Sequence, residues 1–419
     1  MFEKSVLPNG VRVVTAHSPY SYSTTLSFYF GVGSRYESDV EAGVSHFLEH
    51  MLFKGTARRP SARQVSEAVE GVGGVLNAGT GREHTVYWTK LPAEYSHDAF
   101  DLLADMVQNS LLLPEETERE RRVILEEIKG REDSPGRLVS ALVDKLLWTD
   151  QPLGREIAGT EDTVAAISTA DLHSHRERHY RADNVVVSCA GPVAHEQVVE
   201  WASESLGQMH GGERIAPSPA RTTSEPRAGL VGKPLKQATF SLAFPAISYV
   251  DERRYTLGVL DAVLGGGMSS RLFLEVRERQ SLAYSVGSHT QQYADDGAFL
   301  VHASVAPEAL GHSLEAVYEQ LWRVCVEPLE QDELARIKRY IKGRLVMGLE
   351  GSRGLASWAG RQELLRERIW EPTEVLAQVD EVSPQDVLSL ASEIFDAPPS
   401  LAVVGPFEDV GEIELLLRP

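Results

Sequence analysis

His46 and His50 stand four residues apart in the stretch GVSHFLEHMLFKGT, and Glu49 directly precedes the second of them. On a helix, at 100° per residue, the three side chains share an arc of about 100°. Two imidazoles so placed can reach one ion while the carboxylate points at its remaining coordination position. Neutral imidazole suits Zn²⁺, and a catalytic zinc keeps one position open for water. The metal lowers the pKa of that water, and a carboxylate beside it takes the proton.

The pattern H-x-x-E-H is the metalloprotease pattern H-E-x-x-H read backwards. With 13 histidines in 419 residues, chance supplies roughly 0.04 such matches per chain, so the motif needs support from elsewhere in the sequence. A third protein ligand is required, and ETERERRVILEEIKG offers candidates. Its pattern predicts a helix with Val123, Ile124 and Ile128 on the apolar side. Glu120 and Glu127 then lie nearly aligned, about 10 Å apart along the axis. One can ligate while the other supports the site from behind. Glu116, Glu118 and Glu132 read as a solvated face.

The elements that must position these groups follow from periodicity and punctuation. Asp39, Glu41, Gly43 and Ser45 make a polar start before FLEHMLF, which predicts a helix over about 41–54 ending near Gly55. The N-terminal MFEKSVLPNGVRVV predicts strand, turn at Pro8-Asn9-Gly10, and strand. TTLSFYF and TVYWTKL alternate as half-buried antiparallel strands do. Long amphipathic stretches lie beside them, so an α+β fold is expected, with helices packed on antiparallel sheets. No GxGxxG follows the first strand and no GxxxxGK[ST] occurs.

GGERIAPSPARTTSEPR, residues 211–227, has the composition of a linker. The halves on either side repeat an order of strand, strand, helix, proline and a second helix ending in Lys-Gly. Pro114 and Pro328 correspond at an offset of 214, Lys129 and Lys342 at 213. Two similar domains are expected, residues 1–212 and 228–419, joined by 213–227.

Bulk composition excludes several function classes. The chain has 61 acidic against 41 basic residues, a net charge of −20. Such a surface repels phosphate backbones, so no nucleic-acid partner is expected. No apolar run approaches the ~18 residues of a membrane helix, and the N-terminus lacks a secretory pattern. The two cysteines, Cys189 and Cys325, sit in apolar contexts and read as buried thiols. A cytoplasmic protein with no membrane partner is expected.

The quoted motifs resemble one family almost end to end: the inverzincin metallopeptidases of the insulinase, pitrilysin and mitochondrial processing peptidase group. LPNGVRVV, GVSHFLEHMLFKGT, GGVLNAGTGREHTVYW, ERERRVILEEI and LGGGMSSRLFLEVRERQSLAYSVGS carry the resemblance, and no motif position departs from it. It implies one Zn²⁺ per chain, held by His46, His50 and a glutamate 77 residues after the second histidine, which is Glu127. Glu126 is the adjacent competitor. Glu49 is then the base and Glu120 the supporting acid of a zinc metalloendopeptidase acting on extended peptides in an enclosed chamber.

The resemblance further implies that only the first of two α+β domains carries metal, and GVLDAVLGGGMSS, the counterpart region, has no histidine. Arg277 and Tyr284 match a pair that holds substrate and the developing oxyanion, a role their donors suit. Asn77 and Ala78, in GVLNAGT, match the edge strand on which peptides are laid. Gly265, Gly266 and Gly267 match a glycine-rich loop, where glycine permits backbone conformations other residues resist. Long relatives carry four such domains in one chain. This chain has two, so a homodimer is expected in which Arg277 and Tyr284 of one chain complete the zinc site of the other. A non-catalytic scaffold or a peptide-binding subunit is the competing expectation. His175 and His179 form a second i,i+4 pair, without a carboxylate triad, and are expected to be structural; His84 receives no role.

Overall fold

In the computed structural model, which describes residues 1–417, the turn at Pro8-Asn9-Gly10 sends the chain back on itself. Gly10 sits there at φ 100°, a conformation open to glycine. The flanking strands, β1 (Phe2–Val6) and β2 (Arg12–His17), pair antiparallel from Phe2↔Ala16 to Val6↔Arg12. With β3 (Ser23–Phe30), β4 (Val75–Thr80), β5 (Thr85–Pro92) and β6 (Val185–Gly191) they form a sheet of order β1-β2-β6-β3-β5-β4. A second sheet holds β7 (Arg227–Gly232), β8 (Ala238–Ala246), β9 (Ala283–Gln292), β10 (Gly297–Val305) and β11 (Ser400–Gly405), in the order β7-β11-β8-β10-β9.

The two sheets repeat one topology. From β2 in the first and β7 in the second, the pairings run parallel, antiparallel, antiparallel, antiparallel. The α+β expectation and the internal repeat therefore stand. The sheets are not purely antiparallel: β2/β6 and β7/β11 are parallel, because β6 and β11 return after long helical excursions.

The compact units are interleaved in sequence. The first comprises residues 1–128, 156–218 and 346–371; the second comprises 129–155, 219–345 and 372 onward. The sequence reading cut the chain once, at 213–227. One of the breaks between the units, after Ser218, falls inside that segment, and the units also exchange a helix: Pro135–Leu147 packs on β7, β8 and β11, whereas Ser352–Arg366 packs on β2, β3 and β6. These helices cover equivalent strands of the two repeats. Each sheet is thus enclosed on both faces, which explains why β6 (VVVSCAG) and β11 (SLAVVG) are buried throughout and read as continuous apolar runs.

Two buried hydroxyls of the first sheet, Ser188 on β6 and Thr25 on β3, have partners on the exchanged helix. The Ser188 hydroxyl donates to the carbonyl of Ala356 at 2.8 Å, and Thr25 and Ser352 join hydroxyls at 2.9 Å. Gly360 lets the helix close on the sheet, since a Cβ there would stand 2.3 Å from the Tyr29 ring. Glu363, fully buried, receives Arg12 Nη1 at 3.3 Å and Lys4 Nζ at 2.7 Å. Both cysteines are free thiols, Cys189 buried and Cys325 half-buried. Among the described residues no helix is long and apolar enough to cross a membrane.

Candidate metal centre

The helix carrying the motif spans Val44–Met51, shorter at both ends than the 41–54 expected. Gly43 stops it at the start, with φ 97° and the Ala158 carbonyl oxygen 2.6 Å from where a Cβ would stand. Its free N–H groups are met by a residue outside the expected polar start. The buried Glu37 carboxylate accepts from the backbone N–H of Gly43 and of Ser45, each at 2.8 Å. An anion at a helix N-terminus also complements the helix dipole. No local spacing rule reveals Glu37, because it caps from six and eight residues upstream.

Val44, Phe47, Leu48 and Met51 are buried in the core of the first unit. The opposite, half-buried face therefore carries His46, Glu49 and His50 together. Facing them is the helix Pro114–Glu132, which buries Thr117, Glu120 and Ile124 and packs Leu125 and Ile128 against the same core. Val123, expected on the apolar side, is 52% exposed; the buried stripe passes through Glu120 instead, so the helix is rotated relative to the expectation.

That rotation aims Glu127 at the histidines. His46 Nε2 and His50 Nε2 lie 3.2 Å apart, and Glu127 Oε2 is 3.7 Å from the first and 3.9 Å from the second. Ligand atoms of these three residues all fall within 4.8 Å of one another, and among the described residues no other such group of three occurs. Glu126 is outside the group. His50 Nδ1 bonds Glu120 Oε1 at 2.8 Å, and Lys54 Nζ lies 2.5 Å from Glu120 Oε2. Burial would raise the Glu120 carboxyl, but its bonds to His50 and Lys54 bring it below the usual range.

Glu49 shows the reverse balance. Burial pushes its pKa up and Glu127 adds to the rise, against the stabilising Thr80 hydroxyl and His50. The Thr80 hydroxyl donates to Glu49 Oε2. Thr80 ends β4, whose other members Asn77 and Ala78 sit opposite Trp88 and Tyr87 of β5. β4 closes one side of the first sheet, with β5 as its sole neighbour among the described residues. The Ala78 N–H donates to the Asn77 side-chain oxygen at 2.8 Å, so it stays outside the β4–β5 ladder and faces the open edge. Thr80 and Lys54 were missed by sequence reasoning. Lys54 carried a usable signal, since it follows His50 by four residues.

Arg277 and Tyr284 meet on the second unit. Arg277 lies in a π-helical turn, Phe273–Arg279, with its guanidinium 4.8 Å from the Phe273 ring and 5.9 Å from the Tyr284 ring. Tyr284 is 74% exposed at the start of β9. The glycine loop corrects an expectation: none of Gly265, Gly266 and Gly267 has a positive φ among the glycines that do. Gly265 is needed for close approach, a Cβ there falling 2.0 Å from Ser288 N, and Gly266 would press on Ala262 at 2.7 Å. Gly267 meets nothing closer than the Tyr340 hydroxyl at 3.5 Å.

His175 and His179 are core residues. His175 Nε2 bonds the Ser45 hydroxyl at 3.1 Å, on the motif helix, and both rings are almost fully buried. Burial pushes His84 and His179 down to about 4 and His175 well below its ordinary value. In the unfolded chain such groups take up protons near pH 6.5. Between about pH 6.5 and 4 the unfolded state therefore binds more protons, so stability falls as pH falls through that window. Urea midpoints should drop between pH 7 and pH 5; equal midpoints would contradict the buried neutral rings.

Comparison with known proteins extends this geometry. Residues 12–161 match the family model described as Insulinase (Peptidase family M16), and residues 166–341 match that of the Peptidase M16 inactive domain. The chain is 38% identical over 413 residues to an uncharacterized zinc protease of Streptomyces coelicolor, covering 97% of this chain and 90% of that one. It is 36% identical over 406 residues to an uncharacterized zinc protease of Rickettsia bellii, covering 97% and 98%. The crystal structure of a protease from Helicobacter pylori superposes with a TM-score of 0.91 at 24% identity, over 97% of this chain and 99% of that one, a likeness of fold.

Proposed function

The chain belongs to the insulinase family of peptidases, M16, and from that premise we propose that it is a zinc-dependent metalloendopeptidase cutting peptides or unfolded segments in an enclosed chamber. The observation that carries this reading is the convergence of His46, His50 and Glu127 on one point. The donor set fits the metal. Two imidazole nitrogens face each other at hydrogen-bond distance beside a carboxylate oxygen, and Glu120 takes the Nδ1 side of His50, leaving Nε2 to face the point of convergence.

Zn²⁺, when bound, would act as a Lewis acid on the scissile carbonyl and make water acidic enough to attack at neutral pH. The protein's own groups do the rest. His46 and His50 through Nε2, and Glu127 through Oε2, would hold the ion. Thr80 holds Glu49 through Oε2, and the Glu49 carboxylate takes the proton of the attacking water and returns it to the leaving amine. A peptide laid along the edge of β4 would pair with its outward main-chain groups, Ala78 N–H among them, once the Asn77 side chain releases it. Main-chain pairing tolerates many side chains, which suits unfolded substrates.

Cleavage of a mixed peptide library should stop on chelation and return with Zn²⁺; cleavage that persists without metal would refute the reading. The same result separates an enzyme from a scaffold or peptide-binding subunit, a role that the intact motif disfavours. The net charge of −20 and the free thiols support a cytoplasmic protein without nucleic-acid or membrane partners.

The partner expected for this enzyme is a second copy of the chain. One chain carries both the metal residues and Arg277/Tyr284, so two copies can each complete the other's site with oxyanion donors. Mixing Glu49→Gln chains with Tyr284→Phe chains should restore activity in the mixed dimer, since one of its two sites then has both residues intact. Absence of any rescue, with mixed dimers verified, would sink the shared site.

A further inference from the structure

We propose that Lys54 is a positioning residue of the metal centre, holding Glu120 so that Glu120 orients the His50 ring with Nε2 toward the ion. The proposal rests on the zinc-binding reading above. Its basis is a chain of two contacts with Glu120 in the middle. Lys54 Nζ lies 2.5 Å from Oε2, and His50 Nδ1 lies 2.8 Å from Oε1. Glu120 is 5% exposed, so water has little access to replace either partner. A carboxylate held at both oxygens cannot swivel about its Cγ–Cδ bond. The direction it presents to Nδ1, and with it the ring plane of His50, is thereby set.

The segment that delivers Lys54 is itself pinned. Lys54 N bonds the Met51 carbonyl at 3.1 Å, continuing the turn beyond the helix. Gly55 follows at φ 130°, where a Cβ would lie 2.8 Å from the Pro60 backbone. The Thr56 hydroxyl then donates to the buried Asp105 at 2.6 Å, and Arg59 bonds the same oxygen at 2.7 Å. Lys54 is thus carried on a clamped loop, one helical turn beyond His50, rather than on a free surface arm.

The sign of the effect separates positioning from bulk charge. A lysine near a cation site repels the cation, so charge alone predicts that Lys54→Met tightens zinc binding. Positioning predicts the opposite, about a 10-fold weakening, the lower end of what loss of such outer contacts costs. Zinc affinity of the full-length chain is measured by competition with a chromophoric chelator, which needs no substrate. Expected results are weaker binding by Lys54→Met, near-native binding by Lys54→Arg, and no further loss when Lys54→Met is added to Glu120→Ala. Unchanged or tighter binding by Lys54→Met overturns the proposal, as does a full-sized loss in the Glu120→Ala background. If the unmodified chain binds no zinc, the zinc-peptidase reading falls along with it. If it binds zinc and Lys54→Met binds equally well, only the positioning role falls.

Discussion

A Glu49→Gln chain is expected to keep its zinc and lose peptide hydrolysis by about 10²- to 10⁴-fold, the range attributed to a general base. Glutamine has the same shape and still offers an oxygen to the Thr80 hydroxyl, so the local packing survives. It cannot take a proton at neutral pH. Glu49 is not one of the three convergent donors, so metal content should hold at the native level. The loss should fall on kcat with KM little changed, because the base acts in the transition state rather than in binding. Retained activity, or activity lost together with zinc, would remove Glu49 from the role of base.

The second large effect concerns the fold. Glu363→Ala is expected to destabilise the first unit by about 3–5 kcal/mol, the cost of breaking a buried ion pair from one side. Glu363 has no exposed surface, and Arg12, 5% exposed, points its guanidinium at it. Removing the carboxylate leaves Arg12 with the Glu363 carbonyl at 3.0 Å as its remaining contact there, and strips Lys4 of a 2.7 Å partner. Replacing Arg12 and Glu363 together by Met and Leu should recover most of the loss, since a buried pair contributes little over apolar packing. Urea unfolding of the single and double variants at fixed zinc concentration checks both statements. A single variant with native stability would show that the exchanged helix does not depend on this pair.

Some features were legible without coordinates because they are local. The H-x-x-E-H arc follows from helix geometry alone, and the linker and the turn at Pro8-Asn9-Gly10 are marked by glycine and proline. The repeat could be seen because equivalent prolines and Lys-Gly pairs recur at nearly constant offsets, although the helices expected to end at those pairs run on to Glu132 and Gly348. Errors arose where a segment's neighbour lies far away in sequence. Val123 counted as apolar core by type, yet the stripe the helix buries runs through Glu120, whose carboxylate oxygens are met by His50 and Lys54. Pro135–Leu147 and Ser352–Arg366 carry no local signal naming the sheet each packs on, so composition could not say which sheet each would cover.

The sequence by itself determined that two imidazoles and a carboxylate share one helix face, that a glutamate-rich helix exists to meet them, and that the chain is a doubled α+β fold. Those are statements about periodicity, and periodicity is a property of the local chain. Only the tertiary structure decided that Glu37 caps the motif helix, that Thr80 holds Glu49, and that the two repeats trade the helices Pro135–Leu147 and Ser352–Arg366. Such choices depend on which surfaces meet after folding. There the burial of whole faces, and the need to satisfy each buried polar group, outweighs any preference a short segment carries alone.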